Sequence, residues 1–310
     1  MIYCIVNFQI LIINMMPMAI KTQKSTKKSW SVLTTNKIFN PAYLKKVLNN
    51  SIAGYVIRGF ISEKQALEIA RKFDHHPKLE VNIGSNGVHK YWLKLAGPKQ
   101  NADRNYFKYF DYTEKNQKVI DSLFAGGMIV HRKVAEIADE FYQKKYGTHF
   151  RPFRYHGKDA NFGNLQKWTG SENGLTSLMH CDYDNYHLEK NRTLEFYNIK
   201  TIGSFVFCYR NGTQGGFTRI YNYQPTWKEH EDSQYYYDYQ DKLKKMIQKP
   251  SYYINTRKAQ HTDVVLKAGD ILIFCAANFH EVGATTKGRS RVAGHMFFGE
   301  LPSGDLIYWF

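Results

Sequence analysis

A mainly β fold with flanking helices is predicted by three observations. Runs rich in aromatic and β-branched residues, such as Gly203–Arg210 and Ile271–Phe274, are bounded by turn residues in the manner of strands. Helical periodicity is concentrated in the first half of the chain, and from about Asn161 onward strand and turn predominate. At 310 residues and 43 % hydrophobic, the chain is long and apolar enough to bury a sizeable core, and β barrels of this length commonly form one domain.

The elements follow in order. Gly54–Phe60 reads as a strand, and Ser62 caps a helix running to about Phe73, with Glu63 in its first turn. A second helix is expected over about Thr113–Phe124, before Gly126 and Gly127. A third spans about His131–Tyr146, places Val134, Ile137, Ala138 and Phe141 on one face, and stops at Gly147. These helices are expected to buttress one sheet from outside. Strands are then predicted at Asn161–Gly170, Gly203–Arg210, Gly215–Asn222 and, after the turn Lys267-Ala-Gly-Asp270, at Ile271–Phe274, which leads to His280-Glu-Val282.

Pro225–Gln260 interrupts the strand pattern with the run Tyr235–Tyr239, a lysine-rich helix expected near Asp241–Gln248, and Tyr252-Tyr253. Two readings stay open for it: a lid over a pocket, or a surface excursion whose tyrosines pack on the barrel exterior.

Charge divides the chain. Residues 1–62 carry eight Lys or Arg and no acid, while the remainder carries 35 basic against 27 acidic residues. Residues 1–50 are therefore read as a basic arm, flexible or targeting, and 51–310 as a single domain with the insert at about 225–260. Met1–Met18 is mostly apolar but lacks a positive leading region and is short for a bilayer, so no stable membrane span is expected. The net +16 favours an anionic partner. No helix-turn-helix, zinc finger or RNP-type strand marks the chain as a nucleic-acid binder. Four scattered cysteines without a CxxC pair suggest neither a zinc site nor a disulfide framework, and the expected location is cytoplasmic or organellar.

One constellation carries chemistry. His180 and Asp182 are separated by a single residue, and His280 follows 98 residues after Asp182. Alternate side chains of a strand point the same way, so His180 and Asp182 lean together while Cys181 faces away as packing. Two imidazoles and one carboxylate occupy one face of an octahedral metal and leave three positions open, the ligand set of non-haem Fe(II) oxygenases.

With HCD at 180–182, GGFTRIY at 215–221, AGDILIF at 268–274 and HEV at 280–282 followed by a basic residue, the chain resembles the Fe(II)- and 2-oxoglutarate-dependent dioxygenase superfamily over roughly residues 54–300. The resemblance implies a double-stranded β-helix (jelly-roll) core, with Fe(II) on His180, Asp182 and His280, 2-oxoglutarate (alpha-KG) as cosubstrate, and O₂. It also implies an arginine past His280 that binds the distal carboxylate of 2-oxoglutarate, a task for which a guanidinium is suited. Arg291 is favoured because Lys287-Gly288 reads as a turn that leaves Arg289 near the strand's mouth, while small Ala293 leaves room beside Arg291; Arg289 remains the competitor. Gln166 and Trp168 share a strand face that lines the cosubstrate pocket in the resembled fold.

The activity so implied is activation of a C–H bond of a small, anionic, amino-acid-like metabolite of secondary metabolism, by hydroxylation, desaturation or oxidative cyclisation, with release of succinate and CO₂. Asp182 separates the chain from related iron halogenases, which carry a small residue there. The alternatives are a prolyl-type protein hydroxylase or nucleic-acid demethylase of the same superfamily, and a non-catalytic ligand-binding barrel.

Overall fold

The computed structural model describes residues 30–83, 89–95, 110–161, 163–169, 175–182, 195–212, 215–226, 251–283, 285 and 289–309. Its strands are β1 (Val32–Asn36), β2 (Gly54–Arg58), β3 (Leu79–Ile83), β4 (His89–Leu93), β5 (Phe150–Pro152), β6 (Arg154–Tyr155), β7 (Lys158–Asp159), β8 (Asn164–Thr169), β9 (Leu175–His180), β10 (Ile202–Arg210), β11 (Thr218–Tyr221), β12 (His261–Val264), β13 (Ile271–Cys275), β14 (His280–Gly283), β15 (Ser290–Glu300) and β16 (Leu306–Trp309). A large sheet runs β1-β2-β13-β10-β15-β8-β4-β3, with β16 and β5 added beside β15. A small sheet runs β12-β11-β14-β9, and β6 and β7 form a separate hairpin. This is the expected mainly β jelly roll.

Alternation along the central strands explains why the large sheet is buried on both sides. In β10, Phe205, Phe207 and Tyr209 join one apolar cluster, whereas Val206 and Cys208 join another. The first cluster lies under the helices α1 (Ala42–Leu48), α2 (Glu63–Asp74), α3 (Thr113–Ser122) and α4 (Val130–Tyr146), which contribute Leu44, Val47, Phe73, Ile120, Val134 and Tyr142. The second lies between the sheets, where Val206, Leu272 and Ala293 of the large sheet meet Ile220 and Val264 of the small one. A strand covered on both faces has no polar side, hence the nearly unbroken apolar sequence of β10 and β13. At about 1.5–3 kcal/mol for each large side chain withdrawn from water, these two clusters supply the main driving force.

Local signals place α2 and α4 as expected. Ser62 and Gln65 form a reciprocal capping box at the start of α2, worth about 1 kcal/mol. Gly147 ends α4 with φ 66°, a left-handed conformation that glycine adopts without steric cost. The boundary expected for the basic arm is corrected by the structure. β1 pairs in parallel with β2, and α1 buries Leu44, Val47 and Leu48, so residues 32–48 belong to the domain. Their lysines lie at the surface of an amphipathic helix, which composition alone does not separate from a flexible arm. Residues 1–29 and 227–250, which hold the rest of the arm and the predicted lysine-rich helix, lie outside the described residues. No helix among the described residues is long and apolar enough to cross a membrane.

The turn before β13 shows what its Gly-Asp pair is for. Gly269, at φ 93°, packs so closely on the Ile61 carbonyl that a Cβ would lie 2.2 Å from it. Asp270 is buried; its Oδ1 accepts from the Gly59 N–H (2.8 Å), and its Oδ2 accepts from the Lys267 N–H (2.8 Å) and from Arg58 (2.6 Å). One carboxylate thereby joins the end of β2 to the start of β13. Asp270→Ala is expected to lower unfolding free energy by about 2–4 kcal/mol, because two backbone N–H groups and the Arg58 guanidinium lose a shared, buried acceptor. Urea denaturation followed by circular dichroism measures this loss.

Candidate metal centre

The triad is assembled by one strand pair. β14 runs antiparallel to β9 with His280 opposite His180, and the two imidazole centroids are 4.3 Å apart. Just beyond β9 the chain is held by the Asp182 N–H donating to the Ala276 carbonyl (2.9 Å). Asp182 then reaches both rings: Oδ1 lies 3.8 Å from Nε2 of His180, and Oδ2 lies 3.4 Å from Nε2 of His280. The three ligand atoms lie within 4.8 Å of one another. Metal–ligand bonds of about 2.1 Å put adjacent octahedral ligands about 3 Å apart, so small rotations suffice to close this set on one ion.

Further contacts prepare the groups as ligands. Nδ1 of His280 donates to the Asn278 carbonyl at 3.0 Å, a bond that leaves the Nε2 lone pair facing the triad. The edge of the Phe274 ring fixes the plane of His280, at 4.8 Å between centroids. Burial raises the pKa of Asp182, but the facing His280 and His180 outweigh it and hold the carboxyl below its usual range. The donor types, their convergence and the oriented imidazole fit a divalent transition ion. Cys181 points the other way, into a small cluster with Met179, Tyr221 and Phe279, as strand alternation requires.

Opposite the triad, β4, β8 and β15 present a polar wall. Lys167 of β8 faces outward and, with Arg210, pairs with Asp74 at the end of α2 (2.8 and 2.6 Å). Gln166 and Trp168 therefore face inward, the side expected for both. In register, Trp168 stands beside Arg291 on β15 and Lys90 on β4, and Gln166 stands beside Ala293 and Trp92. Arg291 is 2 % exposed, and its Cζ lies 5.9 Å from the Trp168 ring centroid. Its Nη2 donates to Thr218 Oγ1 on β11 of the small sheet (3.3 Å), whereas Nε and Nη1 are buried with no hydrogen-bond partner among the described residues. A buried guanidinium left with free donors is costly unless an anion meets it.

Arg289 is not brought to this wall. It is exposed, and its carbonyl accepts from Thr285 (3.2 Å). β15 begins at Ser290, so Arg289 lies before the strand.

Sequence reasoning singled out neither Lys90 nor His295 as a site residue. His295 meets Trp168 edge to face at 5.6 Å, and its Nε2 is buried without a partner among the described residues. Burial, then Arg291, push its pKa down to about 3 against the opposing pull of Asp182, so it is neutral near pH 7. Lys90 lies with its Nζ 5.8 Å from the Trp168 centroid. Its signal in the sequence is the alternation Lys90-Tyr-Trp92, which shows a strand face but not that the face is internal. Tyr183, Asp184 and Asn185 lie outside the described residues.

The other face of β14 serves a structural purpose. Glu281, 1 % exposed, receives Arg257 of α5 (Ser251–Lys258) at 2.8 and 2.7 Å and the Tyr221 hydroxyl at 2.8 Å. Burial, then Glu281, push the Tyr221 phenol up to about 12, so it remains a donor. Alternation sends Glu281 outward as it sends His280 inward. The described end of the tyrosine-rich insert is therefore fastened to the outer side of the small sheet.

No family model matches the chain, and no curated protein matches it in sequence. Its fold is matched among solved structures. An N-substituted L-amino acid dioxygenase from Burkholderia ambifaria AMMD, in complex with alpha-KG, superposes with a TM-score of 0.53 at 11 % identity, covering 87 % of this chain and 91 % of that one. A second structure of that dioxygenase gives a TM-score of 0.55 at 10 % identity, with coverage of 88 % and 92 %. The chain thus has the jelly-roll fold of this dioxygenase over most of both lengths.

Two measurements test the centre. Asp182→Ala is expected to weaken Mn(II) binding in calorimetry by at least about 100-fold, whereas Cys181→Ser leaves it within about threefold. Arg257→Met, which leaves the buried Glu281 to the Tyr221 hydroxyl and the more distant Arg219 (3.4 Å), is expected to cost about 1–3 kcal/mol of stability in urea titration.

Proposed function

We propose that the protein is an Fe(II)- and 2-oxoglutarate-dependent oxygenase acting on a C–H bond of a small, anionic, amino-acid-like molecule. The observation that carries this reading is the buried Arg291, with two donor nitrogens unpartnered among the described residues, in the same interior as the convergent His180, Asp182 and His280. A site with three open metal positions and a guanidinium deep in the same interior matches a ligand that chelates at one end and carries a carboxylate at the other. When bound, the ferrous ion and 2-oxoglutarate supply the oxidising equivalents, with O₂ consumed and succinate and CO₂ released.

The chain's own residues do the rest. His180, Asp182 and His280 hold the ion, and the Asn278 carbonyl keeps His280 in the ligating tautomer. Arg291 pairs with the distal carboxylate of 2-oxoglutarate, steadied by Thr218 and by the face of Trp168. Gln166 and neutral His295 complete the wall with hydrogen-bonding groups that add no charge. Asp182 fills a metal position that a halide would need, which supports hydroxylation, desaturation or cyclisation. A small amino-acid-like substrate is supported by the net positive charge of the wall and by the likeness in fold to an N-substituted L-amino acid dioxygenase.

Production of succinate from 2-oxoglutarate, dependent on Fe(II) and abolished in Asp182→Ala, tests the reading; its absence over a broad panel of small acids overturns it. Arg291→Leu is expected to raise the KM for 2-oxoglutarate at least about 30-fold, and Arg289→Ala to leave it within about threefold.

A further inference from the structure

We propose that Lys90 binds the carboxylate of the small, amino-acid-like substrate, while Arg291 serves the cosubstrate; this rests on the oxygenase reading of the site. Register places the group. Lys90 pairs with Trp168 across β4 and β8, and Trp168 pairs with Arg291 across β8 and β15, so three side chains stand in a row on the inner face of the large sheet. Both cations lie near the one indole, with Lys90 Nζ 5.8 Å and Arg291 Cζ 5.9 Å from its centroid. With the indole in register between them, each cation is left to meet an anion of its own.

Lys90 has no carboxylate within ion-pair distance among the described residues; its cation–π contact is with Trp168. Burial lowers its pKa, and the Asp182 carboxylate opposes that shift, so the ammonium sits within the field of the triad. Asp182 is committed to the ion and gives Lys90 no partner of its own.

Charge balance leads to the same residue. Among the described residues, the wall and triad hold two cationic side chains, Lys90 and Arg291, against one carboxylate, Asp182, with His295 neutral. A divalent ion and a dicarboxylate cosubstrate cancel one another. One positive charge is then left over, on the cation that the cosubstrate does not use. In a half-buried setting such a charge discriminates in favour of an anion. An ammonium is a compact point charge with three donors, suited to one carboxylate and less demanding of orientation than a guanidinium.

The test uses protein loaded with Mn(II) and saturated with 2-oxoglutarate, so that no turnover intervenes. The probes are N-acetyl-L-leucine, N-acetyl-L-phenylalanine and N-acetyl-L-glutamate, each beside its α-carboxamide, titrated by calorimetry. At least one acid is expected to bind about tenfold or more tightly than its amide, the discrimination of a charged hydrogen bond. Lys90→Met and Lys90→Gln are expected to remove that preference and Lys90→Arg to keep most of it, with 2-oxoglutarate affinity within about threefold of the parent in all three. Equal affinity for acid and amide in the parent, or no binding of either, overturns the proposal. So does a preference that survives in Lys90→Met, or a Lys90→Met variant that loses 2-oxoglutarate instead. Failure of the protein to bind 2-oxoglutarate with metal sinks the oxygenase reading and this assignment together; metal-dependent binding without acid preference sinks this assignment alone.

Discussion

The pairing of β14 with β9 is the constraint on which the site depends. It sets His280 opposite His180 although nearly a hundred residues separate them in the chain, and it turns both imidazoles to the inner side of the small sheet. Because the period of a strand is two, a slip by one residue would exchange His280 for Glu281 on the inner face. The outer network of Glu281, Arg257 and Tyr221 opposes that slip, since Glu281 is buried in a setting that satisfies it only on the outside. Register and charge pairing thus enforce one another.

The two sides of the large sheet have different tasks. Under the helices the packing is almost wholly apolar, with Phe205, Phe207, Phe73 and Tyr142 among the large buried side chains. Between the sheets, apolar packing gives way at one end to Arg291, His295, Asn164 and Lys90, and the first three hold buried polar atoms without partners among the described residues. Groups of this kind oppose folding when nothing meets them. They persist because the helix-covered face and the central strands supply stability elsewhere, a division expected where a binding site is built into a core.

Trp168 joins these roles. Its burial helps close the interior, and its indole lies near two cations, Lys90 and Arg291. The wall is therefore a rigid set of charges built on strands, with positions fixed by hydrogen-bonded register rather than by a loop.

Much of this was legible in the residues themselves. The Ser62 cap, the periodic face of α4, the Gly147 stop and the aromatic strands are local signals, and each acts over a few residues where propensity and patterning operate. The HCD spacing determined that His180 and Asp182 act together and that Cys181 does not. Other features required the assembled sheets. Arg291 differs from Arg289 because β15 begins at Ser290, a boundary set by pairing with β8. Lys90 reaches the wall beside Trp168 because β4 docks on β8, and Lys45 and Lys46 belong to a packed helix because Leu44 and Val47 find the sheet. A sequence specifies which faces its segments have, since that follows from the two-residue and 3.6-residue periods; which face meets which is decided only when distant strands exchange hydrogen bonds.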